Sequence, residues 1–481
     1  MSGRPHYACD RCRQLREKCK FPTSVEPLAS CDRCRHSGQL CTMSARGKGG
    51  RPRRSDLLST AAEPGKEFTW QQCYQPAKHN AMANQIPAHM SDSLLRSVAP
   101  GDMPLLETMF RRRAFVHSFI LHPSFADGML SQLSSALYYA TDTLLSTYFA
   151  VSGHFSAKIE GTLPNHDSNL DYTHSARAVE TLRIVGQEQH SKTIDIPTIL
   201  TLGLGMVTFD LWKTGRHAHS ICRFTLALAT ERRASALYAM AGEKELLAPL
   251  HFMDIINCII RRGSPIPLPS TGIPVGLDKY IGICIPLLAH MANISQISHD
   301  LARTGTDVEI SHHQLDNIQT RLLAWNPAED HSIILDATQI RTILLQAAIL
   351  RRATLLVLHR IKYALGMQDY LATLEAQRIL DDIDELYRYA IAEIPSCCDV
   401  LENPFEYRLS FPLLVAGIEV CGRRERTRLL SRLSRVACPQ RYPAPNVMIA
   451  NFLKYVWQKR DAGDDGFWLD WTLKGPLVVL F

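Results

Sequence analysis

Ile379-Leu380-Asp381-Asp382-Ile383-Asp384-Glu385-Leu386-Tyr387-Arg388-Tyr389-Ala390 decides how the larger part of this chain is built. Its apolar positions Ile379, Ile383, Leu386 and Ala390 step by 4, 3 and 4 residues, and Asp381, Asp382, Asp384 and Glu385 fall on other faces. That is the period of an amphipathic α-helix with one face turned to a core. Far upstream, Leu105, Met109 and Phe110 begin a similar run, and strand-like alternation is rare from Met103 onward. Pro265, Pro267, Pro269 and Pro274 mark 263–277 as a loop between helices. The stretch 104–481 is long enough to bury a large core, so the expectation is a mostly α chain with a large, repeat-like helical body.

Composition excludes several classes. Of 481 residues, 46% are hydrophobic and 21% charged, as in ordinary globular proteins. A wholly disordered chain, a collagen-like chain and a small disulfide scaffold are ruled out. The chain opens on polar residues, Met1 to Tyr7, without the apolar core of a secretory signal. The longest uncharged stretch, Tyr280 to His299, is broken by Pro286, His290 and Asn293 and reads as a buried or amphipathic helix, so no membrane partner is expected. Charge is uneven: residues 1–56 hold 13 Lys/Arg against 5 Asp/Glu, a net of +8, which leaves −2 for the other 425 residues. A basic head joined to a nearly neutral body points to an anionic partner for the head alone.

Six of the fourteen cysteines, Cys9, Cys12, Cys19, Cys31, Cys34 and Cys41, lie in that head. Their spacing is C-x2-C-x6-C-x11-C-x2-C-x6-C, so one half repeats the other. The flanks repeat as well: Cys9-Asp10-Arg11-Cys12-Arg13 against Cys31-Asp32-Arg33-Cys34-Arg35. In a long chain without an export signal, clustered cysteines read as metal ligands rather than disulfides. Structural zinc takes four tetrahedral ligands and thiolates suit it. Six thiolates serve two such sites only if two of them bridge both ions. One zinc held by four cysteines is simpler but leaves two cysteines and the repeat unexplained. Iron–sulfur clusters also use thiolates, but their usual short-spaced runs differ from this one.

The pattern closely resembles the fungal-type zinc binuclear cluster (Zn2Cys6) of transcription factors. The resemblance implies one Zn2+ on Cys9, Cys12, Cys19 and Cys31 and a second on Cys31, Cys34, Cys41 and Cys9, with Cys9 and Cys31 bridging. It also implies double-stranded DNA as partner, CGG-type half-sites, nuclear localisation and control of RNA polymerase II genes, in this family often those of a metabolic or secondary-metabolite pathway. A short helix starting near Asp10 places Arg13, Arg16 and Lys20 along one side. Arg16 and Lys18 match the family's usual basic positions, and an arginine there can pair bidentately with guanine. Arg13, Lys18, Lys20, Arg33 and Arg35 read as phosphate contacts that fix register. Leu15 and Glu17 depart from the family's usual basic and apolar residues and lower the charge of this helix.

The domain organisation that follows is a Zn2Cys6 domain over 1–45, a linker over 46–103 and a helical regulatory domain over 104–481. The linker opens on Arg46-Gly47-Lys48-Gly49-Gly50-Arg51-Pro52-Arg53-Arg54, read first as a tether or nuclear-import signal and last as a minor-groove arm. Many members of the family dimerise through a coiled coil after the cluster. A homodimer is therefore admitted, although 56–103 carries no sustained heptads.

The last third resembles the second type of fungal-specific transcription factor domain. The resemblance rests on Phe411 to Glu419, on Arg424, Arg426 and Arg428, on Asn446, on Val456-Trp457-Gln458-Lys459-Arg460-Asp461 and on Asp470-Trp471. It implies a structural or regulatory role, not catalysis. No enzyme is expected. Gly203-Leu204-Gly205 lacks a third glycine and reads as close helix packing. His217, His219, His312 and His313 read as surface or capped histidines. Cys397-Cys398 has no general base nearby, and Trp457, Trp468 and Trp471 read as core. Two rivals stand beside the DNA reading. A ligand-sensing or enzymatic body predicts a polar enclosed pocket. An adaptor whose zinc head binds protein predicts a covered basic helix. No acidic or glutamine-rich tail separates activator from repressor.

Overall fold

A computed structural model describes Cys19, Cys31, Cys34 and His36 of the head. Beyond it the described residues are 98–111, 115–116, 120–121, 125–160, 169–187, 194–234, 243–269, 276–303, 308–326, 337–393, 409–436 and 443–481. The chain divides into two compact units, Met1–Lys78 and His79–Phe481.

The second unit is built from helices. They are α1 (Met103–Arg111), α2 (Ala126–Tyr139), α3 (Thr141–His154), α4 (Asn169–Gln187), α5 (Ile196–Lys213), α6 (Ala218–Ala234), α7 (Glu243–Ile260) and α8 (Ile285–Arg303). After these come α9 (Val308–Ala324), α10 (Ala337–Lys362), α11 (Asp369–Glu393), α12 (Ser410–Glu419), α13 (Arg423–Val436), α14 (Pro443–Asp461) and the single turn α15 (Trp468–Trp471). Among the described residues there is no strand, and one isolated bridge joins Asp278 to Gly282. From α2 to α14 each helix packs on its successor. The row is closed by longer returns: α12 packs on both α10 and α14, and α14 packs on α5.

Helix α5 is central, touching α2, α3, α4, α6, α7 and α14. Its start is set by Asp195, whose carboxylate accepts the Thr198 N–H at 2.8 Å, and by Pro197 in the first turn. Burial on nearly every side explains why the run from Ile196 to Trp212 shows little polar periodicity. Gly203 and Gly205 set how closely its neighbours approach. A Cβ on Gly203 would lie 2.2 Å from the Thr225 side chain on α6, and one on Gly205 would lie 2.4 Å from Thr147 Cγ2 on α3. The glycine pair therefore serves helix packing. At the far end, buried Asp210 turns the chain into α6, accepting from Thr214 Oγ1 at 2.7 Å and from the N–H groups of His217 and Ala218 at 2.9 and 2.8 Å.

The run that opened the sequence reading is α11, and Ile379, Ile383 and Leu386 are buried. Three of its acidic residues leave the core face for ion pairs. Asp382 meets Arg352 at 3.1 Å, Glu385 meets Arg341 at 2.9 Å, and Asp384 meets Arg432 of α13. The uncharged stretch Tyr280–His299 forms a bridge-bearing turn and most of α8, whose Leu287, Leu288, Met291 and Ile294 enter the core. Helix α10 is long and apolar enough to cross a membrane, but most of its apolar window is buried within this unit. The end of the chain is held inside: Leu480 N–H donates to Asn257 Oδ1 at 2.9 Å and Asn257 Nδ2 returns to Leu480 O at 2.9 Å.

Candidate functional site

In the head, Cys31 and Cys34 are buried and Cys19 packs against them half-buried. The first of the two spacings explains the local geometry. With two residues between them, Cys34 enters a helical turn and its N–H donates to Cys31 Sγ at 3.4 Å. Three sulfurs drawn together, with a peptide donor aimed at one of them, fit a zinc–thiolate centre in donor chemistry and in support of the ligand. Cys9, Cys12 and Cys41 lie outside the described residues. So do Arg13, Arg16, Lys18, Lys20, Arg33 and Arg35, and the linker with Arg46 to Arg54.

In the body, the last-third motifs meet around the end of α12. Arg360 of α10 is 1% exposed, and all five of its N–H donors are used. Nε and Nη2 grip the Glu419 carboxylate at 2.8 and 2.6 Å, and Nη2 also reaches Asp369 at 2.7 Å. Nη1 donates to the carbonyls of Ala364 and Met367, each at 3.0 Å. Arg460 Nη1 donates to Ile418 O at 2.5 Å and lies 3.9 Å from Glu419. Trp457 Nε1 donates to Gly417 O at 2.9 Å. Arg426 pairs bidentately with Asp461 at 2.5 and 2.8 Å and stands over the Trp457 ring. Arg424 and Arg428, by contrast, are exposed on α13. Most of this motif is thus an internal clamp on α10, α11, α12 and α14.

A second polar cluster was not anticipated. His219, read from sequence as a surface or capped histidine, is buried on α6, because α7 and the 263–266 loop close over it. His219 Nε2 lies 3.0 Å from Asp254 Oδ1 and 3.9 Å from Cys258 Sγ. Arg223, one turn along α6, brings Nη1 to 3.0 Å from Asp254 Oδ1, 3.0 Å from Cys258 Sγ and 2.9 Å from Ser264 O. The other carboxylate oxygen accepts the Ile266 N–H at 2.7 Å. Burial alone would push Asp254 up, but the His219 hydrogen bond, the Ile266 N–H and the Arg223 charge outweigh it and hold this carboxyl below its ordinary range. Burial, with the Asp254 charge, pushes the Cys258 thiol up to about 12. One sequence signal was there to find: polar His251, Asp254 and Cys258 step through the apolar run Leu250–Ile260 at helical spacing. Of the other histidines, His217 and His313 are exposed. Cys397 and Cys398 lie outside the described residues.

A cavity of about 50 Å³ lies among α1, α2, α3 and α5, lined by Met109, Met129, Leu133, Val151 and Gly205 and almost wholly apolar. It is not the polar enclosed pocket that a catalytic body would need.

A family model described as "fungal specific transcription factor domain" matches residues 134–480. The chain belongs to this family, whose domain is non-catalytic and serves transcription. The match begins well before the last third on which the sequence resemblance rested. No curated protein and no solved structure matches the chain.

Proposed function

We propose that this protein is a zinc-dependent, sequence-specific DNA-binding transcription factor of RNA polymerase II genes, acting in the nucleus. The observation that carries the reading is the duplicated C-x2-C-x6-C in a head of net charge +8, on a chain whose body is a transcription factor domain. Cys9, Cys12, Cys19, Cys31, Cys34 and Cys41 hold two Zn2+, with Cys9 and Cys31 bridging. Zinc supplies the folding energy of a segment too small to bury a core of its own. Residues 1–45 form the DNA-binding domain, 46–103 the linker and 104–481 the regulatory domain.

Arg16 reads a guanine edge of a CGG-type half-site. Arg13, Lys18, Lys20, Arg33 and Arg35 hold phosphates. The test is selection of randomised duplex DNA by the full-length chain, followed by titration of variants at several salt concentrations. Arg16→Ala costs about 1–3 kcal/mol on the selected site and much less on scrambled DNA. Lys20→Ala weakens all sequences alike and lowers the salt slope by roughly one. Binding without sequence preference, or preference that survives removal of zinc, refutes the reading.

A further inference from the structure

We propose that His219, Asp254 and Cys258 form a second, structural metal site inside the body, suited to Zn2+, in which the Arg223 guanidinium is the occupant that the ion displaces. The site is independent of the head and of the DNA reading.

The ligand atoms stand within a few tenths of an ångström of the separations a coordination shell needs. The three ligand atoms, one N, one O and one S, all lie within 4.8 Å of one another. Their separations are 3.0 Å between His219 and Asp254, 3.4 Å between Cys258 and Asp254, and 3.9 Å between Cys258 and His219. A tetrahedron with zinc–ligand bonds of about 2.0–2.3 Å has edges of about 3.3–3.8 Å. Ser264 O lies 3.6 Å from Cys258 Sγ and 2.9 Å from Arg223 Nη1. Asp254 and Cys258 are four residues apart on one face of α7, the spacing at which two helical side chains grip one ion. The Ile266 N–H on the free carboxylate oxygen fixes its orientation, as a second shell does for a metal ligand.

A positive charge already sits against two of the three ligands. Arg223 Nη1 is about equidistant from Asp254 Oδ1, Cys258 Sγ and Ser264 O, at 3.0, 3.0 and 2.9 Å. The Asp254 side chain is 0% exposed, whereas that of Arg223 is 36% exposed and can swing into water. The exchange balances in charge. A divalent ion enters, and the guanidinium and the Cys258 thiol proton leave, the proton passing to solvent; the Nε2 proton that His219 donates to Asp254 moves through solvent to Nδ1, which frees the Nε2 lone pair for the ion. Asp254 and the Cys258 thiolate then neutralise the ion, and no redox step is involved. The mixed N, O and S set favours zinc over magnesium or calcium, which take oxygen alone. Bound there, the ion ties α6 to α7 and to the 263–266 loop.

The test uses the full-length chain loaded with Zn2+ and freed of excess, with metal content read by elemental analysis and native mass spectrometry. His219→Ala and Cys258→Ser are each expected to carry one zinc fewer than wild type, whatever the head holds. Equal zinc content in all three overturns the proposal. If either variant fails to fold, Arg223→Met decides, since it removes the competing cation and keeps every ligand. Added Zn2+ should raise its melting temperature more than that of wild type, and it should hold this zinc at least tenfold more tightly against a chelator. An Arg223→Met protein that is destabilised and gains no more from Zn2+ than wild type refutes the site and leaves Arg223 a plain salt-bridge partner.

Discussion

Removing Arg360 tests the clamp at the end of α12 most directly. Glu419 and Arg360 are each 1% exposed, so neither can turn to water when its partner is lost. In Arg360→Met the Glu419 carboxylate keeps only Arg460, at 3.9 Å, the Met367 carbonyl loses its guanidinium donor, and the Ala364 carbonyl keeps only the Met367 N–H. Breaking a buried pair from one side costs about 3–5 kcal/mol, because an uncompensated charge stays behind. Glu419→Gln should cost less, about 2–3 kcal/mol, since Asp369 still balances Arg360 and the amide oxygen still accepts one N–H. The double variant Arg360→Met/Glu419→Leu removes the stranded carboxylate and should be more stable than Arg360→Met alone. It should not regain wild-type stability, because the Met367 carbonyl and Asp369 still lack the guanidinium, whereas Ala364 O keeps the Met367 N–H at 3.1 Å. The assay is urea unfolding of the full-length chain followed by tryptophan fluorescence and circular dichroism together, so that coincidence of the two curves checks cooperativity. A double variant whose cost equals the sum of Arg360→Met and Glu419→Leu measured singly would refute this reasoning, since it would mean that the two residues do not act as a pair.

Gly203→Ala should destabilise by about 1–2 kcal/mol, because even the Thr225 Cβ stands 2.7 Å from the added atom and no rotamer relieves it. Gly205→Ala should cost less, since it meets only the rotatable Thr147 Cγ2 closely, and thermal melts of the two variants check the order. Asn257→Leu should cost about 2–4 kcal/mol in urea unfolding, by stranding the buried N–H and C=O of Leu480. Burial holds His251 neutral, with its pKa pushed down to about 4 against an ordinary 6.5. The unfolded chain therefore binds the extra proton first as pH falls. This contribution is complete above pH 6.5 and is lost towards pH 4, by up to about 3 kcal/mol. His251→Gln should flatten the stability–pH curve in that window, and an unchanged curve would show the ring to be protonated inside the fold.

What could be read from the sequence divides along physical lines. Local periodicity was enough for α1 and α11, where apolar residues recur on one face and charges occupy the rest. Prolines were enough for the loop after α7. For the head, cysteine spacing carries the proposal, because a metal centre fixes its ligands at short, countable separations. The partners of buried charges were not legible. Glu419 lies in a motif noticed from sequence, yet its counter-ion is 59 residues away on α10, and nothing in the run around Arg360 marks it as internal. His219 failed for the same reason: Asp254, 35 residues on, meets it only once α6 and α7 pack. Over 100–340 the resemblance is only general, because an apolar helical pattern is one that many helical bundles share; the family match from residue 134 makes it specific.

These internal pairs bear on how the two units divide the work. The body is nearly neutral, and many of its charges are turned on each other, as in Arg360 with Glu419, Arg426 with Asp461, and Arg432 with Asp384. Such pairs leave little field to draw a polyanion. The head has the opposite balance, +8 in 56 residues. In the proposed reading, salt-dependent affinity for DNA therefore arises in the head, and the slope of log K against log salt should be nearly the same for full-length wild type and for Arg424→Ala/Arg428→Ala, which strips two exposed charges from α13. A slope lowered by about two in that variant would put α13 on the phosphates and give the body a direct share in DNA contact.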